Sequence, residues 1–481
     1  MIFPLFLIPI TTILFINISN YLFKVNGIFS NLLIFGSNFA NITKVITLLS
    51  LHINLAYSLI LWKQYPKYDI INNIVLYPAN SWFELSHNLN LPFVILSIFI
   101  LIIALLTSWY TLVNTQLFLT LILLIEVCLV GTFSCTNLFV FLVFFEASAI
   151  PIFILMVYCG SNRRERLKAS YYFLLFTLYG SISLLLVIIN TYTIYQISFN
   201  SELINLTHYS LWILLFIAFA VKIPLFPFHL WLPYAHVEAS TATSILLAAL
   251  MLKLGGYGVL KFMLPLFSVE THLFFRPFAL LVCIIGIIYG GIVALRQIDL
   301  KRQIAFSSIS HMSFATLGIF TFLEIGSKGA LYLMLSHGLT SAALFYLVGV
   351  LSDRYHTRSI IVYGGLLNTM PIFSFFLILV SLANIGFPGT SGFLPELFVL
   401  VSIVSTSPLL LIPVLLGMLL TTASTLVLLL RLLFGHPKLI YIKSSYSDIN
   451  RLENIILVIL SFWILLLGFI DILPNTFNNI I

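Results

Sequence analysis

Of 481 residues, 61% are hydrophobic and 8% charged, with a formal net charge of +7. Soluble domains run at roughly 45–50% apolar and about 25% charged, so a water-soluble fold is excluded, and no polar block is large enough to fold apart. The basic residues are spread over short segments instead of forming one patch with interleaved aromatics, which argues against a nucleic-acid partner and for membrane topology.

A spanning helix needs about 20 mainly apolar residues. On that criterion the chain reads as an all-α polytopic membrane protein with about fourteen spans, centred near residues 10, 52, 100, 124, 148, 182, 220, 251, 287, 312, 340, 387, 420 and 462. Met1 to Ser19 lacks the basic leader and small-residue cleavage site of a secretory signal, so it reads as a first span that stays on the chain. Asn-rich text from Asn26 to Asn41 and a loop from Lys63 to Asn90 interrupt the pattern. One transmembrane domain is expected over residues 1–481: N-terminal spans to residue 90, a first half-repeat over 115–265, a second over 277–434 and a C-terminal span in 435–481.

Cys128, Cys135, Cys159 and Cys283 lie in apolar text with no CxxC or CxxH spacing, and no GxGxxG or GxxxxGK(S/T) follows a strand. No metal, iron–sulfur, flavin, NADH or ATP site is therefore expected in this chain.

Loops facing the compartment of insertion keep Lys and Arg. Loops after odd-numbered spans hold Lys24, Lys44, Arg163, Arg164, Arg166, Lys168, Arg296, Lys301, Arg302, Arg354, Arg358, Arg431, Lys438, Lys443 and Arg451. Those after even-numbered spans hold only Lys63, Lys67, Lys261, Arg276 and Lys328. The odd loops are expected on the matrix or cytoplasmic side and both termini on the other.

A charge at the bilayer centre costs about 2.5–3.5 kcal/mol on insertion scales, so each intramembrane ionisable group needs a reason. Glu146 sits near the middle of the fifth span, Lys222 of the seventh and Lys253 of the eighth. Snorkelling serves a lysine near a helix end, not one at mid-span. Burial and like charge disfavour a lysine's charge while a neighbouring carboxylate favours it, so a Glu-Lys-Lys row is suited to gaining and losing protons. His311 and His337 extend the row, since imidazole both donates and accepts. For His229, His236 and Glu238 a cap or loop hydrogen bond is the expected role.

Proline marks two breaks. Pro224 and Pro227 cannot serve the carbonyls of Ala220 and Ile223, nor Pro388 and Pro395 those of Asn384 and Ser391. Broken backbone at membrane depth belongs where protein or a wet cavity surrounds it. Lys222 lies at the first break and Glu396 follows the second, and the odd offset between spans seven and twelve is the mark of an inverted repeat.

The stretches FFEASAIP (Phe144 to Pro151), RERLKA (Arg164 to Ala169), AFAVKIPLFPFHLWLPYAHVEA (Ala218 to Ala239), LAALMLKLGGYG (Leu247 to Gly258), LRQIDLKRQIAFSSISHM (Leu295 to Met312), SHGLTSAALF (Ser336 to Phe345) and SLANIGFPGTSGFLPEL (Ser381 to Leu397) resemble the antiporter-like membrane subunits of respiratory complex I, over about residues 90 to 470. The carboxylate at Glu396, where other antiporter-like members carry lysine, is similar to the chain-4 group. The resemblance implies a proton axis with Glu146 and Lys222 as an interacting pair, Lys253 as central relay, His311 and His337 as bridge and Glu396 as terminal site. It implies that FMN, iron–sulfur clusters and ubiquinone belong to other subunits, that neighbouring membrane subunits are the partners, and that the location is the mitochondrial inner membrane. Two departures stand out: Ser240 replaces an expected proline, and Glu126 is an additional membrane acid. The competing reading is a subunit of a multi-subunit sodium/proton antiporter, which the same broken helices and lysines fit.

Overall fold

The computed structural model describes residues 2–25, 33–64, 83, 89–110, 114–161, 164–195, 207–436 and 447–470. Lys67, Arg163, Lys438 and Lys443, and most of the loop from Lys63 to Asn90, lie outside them. Within the described residues the only β pairing is two isolated bridges, Phe83 with Cys135 and Asp299 with Ser359.

Ten helices are long and apolar enough to cross a membrane: Ala40–Gln64, Asn90–Thr107, Thr115–Ser134, Leu138–Cys159, Glu165–Tyr192, Thr241–Leu266, Val269–Arg296, Glu324–Tyr355, Pro408–Leu433 and Arg451–Phe469. Four further segments complete the expected order: a first helix Phe3–Val25, a tenth Leu300–Ile319, and two interrupted spans, the seventh and twelfth. The seventh is Tyr209–Lys222 followed by Trp231–Glu238; the twelfth is Pro371–Ile385 followed by Phe393–Thr406. The Asn-rich text before the second span does not break it: helix runs from Leu33 to Gln64.

Loops after odd-numbered spans meet on one face. Ser161 N donates to Glu238 O (2.8 Å), Leu300 N to Arg358 O (3.0 Å) and Gly365 N to Phe434 O (3.1 Å), joining the loops after spans five, seven, nine, eleven and thirteen. The basic residues are concentrated there, and several are satisfied locally. Arg358 pairs with Glu238 (3.7 Å) and Asp299 (4.0 Å), Arg354 pairs with Glu453, and Lys301 Nζ donates to Ala239 O (2.8 Å). Lys44, read as a loop residue, instead lies inside the helix Leu33–Gln64. Its amine donates to Trp109 O (2.6 Å) at the end of the third span, which keeps it beside the loop after an odd-numbered span.

The eleventh span, Glu324–Tyr355, is buried along its whole membrane window. It packs against spans three, eight, ten, twelve and fourteen. Its two ends are charged, but its middle is built from Ser336, His337, Gly338, Thr340 and Ser341, all buried. All three hydroxyls are spent on their own helix, Ser336 to Leu333 O, Thr340 to Ser336 O and Ser341 to Gly338 O, so among these central residues His337 is the one ionisable group.

Candidate functional site

The fifth span is two helical pieces, Leu138–Ala147 and Ala149–Cys159, that meet at Ser148. The cause is Pro151, which has no N–H for Ala147 O and whose ring crowds that carbonyl. Glu146 sits at this joint, half-buried, with one carboxylate oxygen buried and unpartnered.

Lys222 ends the first piece of the seventh span. The carbonyl of Ala220, which Pro224 cannot serve, is taken by Leu225 N at 2.9 Å, and that of Val221 by Trp231 Nε1 at 2.9 Å. The Ala220 and Val221 carbonyls are thus satisfied inside the protein at the turn that follows Lys222. The amine is buried, has no hydrogen-bond partner, and stands 4.4 Å from the centre of the Phe145 ring. A cation over an aromatic face gains about 0.5–2 kcal/mol. Glu146, next in sequence to that ring, is the charged group whose field reaches the amine.

The eighth span starts at once. Ser240 accepts from Thr243 N (3.4 Å) and caps the helix that begins at Thr241, so the loop is tight although the expected proline is absent. Two wide π-type turns, Leu247–Met251 and Val259–Met263, flank Lys253. Such turns cluster at functional sites because they re-aim side chains and free carbonyls. The Lys253 amine, fully buried, donates to Ala248 O at 2.6 Å and lies 2.9 Å from His337 Nδ1. Gly255 lets this backbone press on the seventh-span break: a Cβ there would stand 2.5 Å from Ile223 Cγ1.

From His337 the row continues. Its ring centre is 5.7 Å from that of His311, and His311 Nδ1 is 3.9 Å from Glu396 Oε1. Glu396 stands in the first turn of the helix Phe393–Thr406, just past the twelfth-span break. That break is a helix end stopped by Gly386 at φ 79°, with Gly386 N donating to Ala383 O and Phe387 N to Leu382 O, the two bonds of a glycine-terminated helix end. A Cβ on Gly386 would lie 2.3 Å from Glu396 Oε2, so a side chain there would push the carboxylate aside.

The six expected residues thus form two groups. Lys253, His337, His311 and Glu396 make one contiguous series; Glu146 and Lys222 make another. No hydrogen bond or ion pair joins Lys222 to Lys253 among the described residues. Glu238 takes the loop role expected of it, accepting from Ser161 and pairing with Arg358. His236 does not: its ring is buried against Phe345, centres 4.4 Å apart, with neither nitrogen partnered. Glu126, by contrast, is completely buried outside both groups and accepts from Asn54 Nδ2 at 2.8 Å. Asn54 was not singled out in the sequence; an amide in the middle of an apolar span, able to answer a membrane acid, was the available signal.

Residues 135–422 match the family described as NADH:quinone oxidoreductase/Mrp antiporter, TM. NADH-ubiquinone oxidoreductase chain 4 of Chondrus crispus is 41% identical over 435 residues, 88% of this chain and 87% of that protein. The chain belongs to this family. Among further antiporter-family relatives, NADH-quinone oxidoreductase subunit M of Rickettsia prowazekii is 39% identical over 81% of this chain and 79% of its own length. A chain in the structure of respiratory complex I from Thermus thermophilus with bound NADH superposes with a TM-score of 0.78 at 28% identity, covering 88% of this chain and 91% of that one. A chain of the Mrp complex from Dietzia superposes with a TM-score of 0.79 at 18% identity, over 96% and 93%, a likeness of fold alone. All six row residues fall inside the antiporter-family segment, and Glu126 falls before it.

Proposed function

We propose that this chain is a proton-translocating membrane subunit of NADH:ubiquinone oxidoreductase in the mitochondrial inner membrane, working beside other membrane subunits of that complex. The observation that carries the reading is the series Lys253, His337, His311, Glu396, in which each ionisable group meets the next inside a buried helix packing. Hydride and electron chemistry belongs to partner subunits with their FMN, iron–sulfur clusters and ubiquinone; this chain moves protons.

The atoms suit that task. A protonated Lys253 donates to Ala248 O and to the Nδ1 lone pair of His337, so the ring proton of neutral His337 sits on Nε2. Transfer from Lys253 to Nδ1 leaves a neutral amine and an imidazolium. The imidazolium releases its Nε2 proton toward His311, and His311 passes a proton from Nδ1 to the Glu396 carboxylate. The 3.9 Å His311–Glu396 separation exceeds a hydrogen bond, so that step requires a small side-chain movement or one intervening water. Glu146 acts on Lys222 as a nearby carboxylate whose approach or withdrawal alters how readily the amine holds its proton.

Sodium/proton antiport by an Mrp-type assembly shares the fold, but the relatives at about 40% identity are complex I subunits. The test is Lys222→Ala in the assembled complex. Proton pumping and quinone-coupled activity should fall strongly while NADH oxidation by an artificial acceptor stays nearly intact; survival of both activities removes Lys222 from the relay. We place the face of the odd-numbered loops on the matrix side, so a cysteine at Arg164 should react with an impermeant thiol reagent from that side alone.

A further inference from the structure

A cavity of about 340 Å³ lies between spans two, three, eleven and fourteen, apart from the ionisable row. Each span gives it one helical stripe; Leu55, Leu59 and Lys63 of the second span have the i, i+4, i+8 spacing of a single helix face. Span three packs on the other three. The open side is between spans two and fourteen, where Leu59 is 43% exposed, while Leu335 and Leu339 of span eleven form a buried back wall.

The stripes agree on the direction of the cavity. Lys63 near the end of span two, Pro92 near the start of span three and Leu467 near the end of span fourteen mark one end, at the face opposite the basic loops. Leu55, Phe99 and Trp463 mark the other, where the Phe99 and Trp463 rings meet with centres 6.1 Å apart. At 1.5 Å rise per residue, Leu55 to Lys63 covers about 12 Å of depth. One leaflet's share of the roughly 30 Å hydrocarbon core is about 15 Å, so the slot is as deep as one leaflet.

Chemistry changes along that depth. The walls are carbon almost throughout, and the Tyr332 hydroxyl in the back wall is spent on the Leu467 and Ile470 carbonyls. Lys63 is the one charged residue of the lining, exposed at the boundary end beside Trp62. Indole at headgroup level, and a lysine that follows apolar surface with its stem and keeps its amine in water, are features of a membrane–water boundary. A wholly apolar ligand would fill the slot without using the amine. A phospholipid with a net negative headgroup uses both, its hydrocarbon within and its phosphate at the lysine.

We propose that this slot binds an anionic glycerophospholipid of the leaflet on the side away from the basic loops. One acyl chain enters between spans two and fourteen and lies against Leu335 and Leu339 of span eleven, and the phosphate pairs with Lys63.

The test uses the assembled complex in vesicles of phosphatidylcholine and phosphatidylglycerol, one of the two carrying a photoreactive diazirine midway along an acyl chain. Labelled residues are mapped by peptide mass spectrometry and normalised to assembled complex. The phosphatidylglycerol probe should label Phe99 and Trp463 about fivefold more than the phosphatidylcholine probe, the ratio that about 1 kcal/mol for one lysine gives. Lys63→Gln, at an exposed position, should remove that preference, and Leu59→Trp, which fills the open side, should lower labelling by both probes at least fivefold. No label in the slot, equal labelling by the two probes in the wild type, a preference that survives Lys63→Gln, or unchanged labelling in Leu59→Trp each overturns the proposal. A density map of the wild-type complex checks it without a variant: chain-like density in the slot leading to a headgroup at Lys63 is expected, and a neighbouring subunit's side chain filling the slot would contradict it.

Discussion

The Lys253 amine approaches His337 Nδ1 to 2.9 Å although 84 residues separate them in sequence. This contact joins the two halves of the expected inverted repeat at the centre of the fold. It predicts that His337→Gln, which preserves size and one polar contact but cannot carry an imidazolium, lowers quinone-coupled pumping at least tenfold while the complex assembles. Proton uptake by reconstituted vesicles, normalised to assembled complex, checks it; pumping within twofold of wild type would remove His337 from the series.

Glu146 and Glu126 are equally costly acids by composition, but their surroundings differ. Glu146 follows Phe145, whose ring lies 4.4 Å from the Lys222 amine, whereas Glu126 is tied to Asn54 within spans one, two and four. Glu146→Gln should severely impair pumping, because the anion that supports the lysine's charge is gone. Glu126→Gln keeps an oxygen for Asn54 and replaces a carboxyl group by a neutral amide, so pumping should stay near wild type with at most a modest change in stability. Equal defects in the two variants, after checking assembly, would break the Glu146–Lys222 pairing.

How much of this was legible in the sequence follows from what sets each feature. Span positions were legible because the bilayer fixes helix length and Pro224, Pro388 and Pro395 remove backbone donors. Lys253 and Glu396 were legible because charge at membrane depth needs a reason. The joint at Ser148 was not singled out, although Pro151 marks it. The π-type turns around Lys253 had no proline to announce them. Asn54 as the partner of Glu126 depends on a contact between segments far apart in the chain, which periodicity does not encode. Ser240 shows the converse: its departure from proline leaves the turn tight, because the hydroxyl caps the following helix.

Gly386 offers a steric test of Glu396. Alanine there must adopt φ near 79° and would crowd Oε2; the left-handed backbone alone costs about 1–2 kcal/mol. Gly386→Ala should therefore lower pumping several-fold. Gly435→Ala carries comparable backbone strain at φ 94° with nothing within 4 Å of its Cβ, so it should cost some stability and leave pumping per assembled complex unchanged. Equal pumping in the two variants would show that the position of the Glu396 carboxylate is immaterial.

The central claim is that protons pass through the Lys253 amine. Lys253→Met keeps the length and apolar stem of the side chain and removes the one group that contacts both Ala248 O and His337. The direct measurement is protons translocated per NADH oxidised by the complex carrying Lys253→Met in sealed vesicles, with assembly and artificial-acceptor activity verified on the same sample. The account predicts that the ratio falls by at least the share contributed by this subunit, together with slowed quinone-coupled turnover; a ratio and a turnover equal to wild type would contradict it.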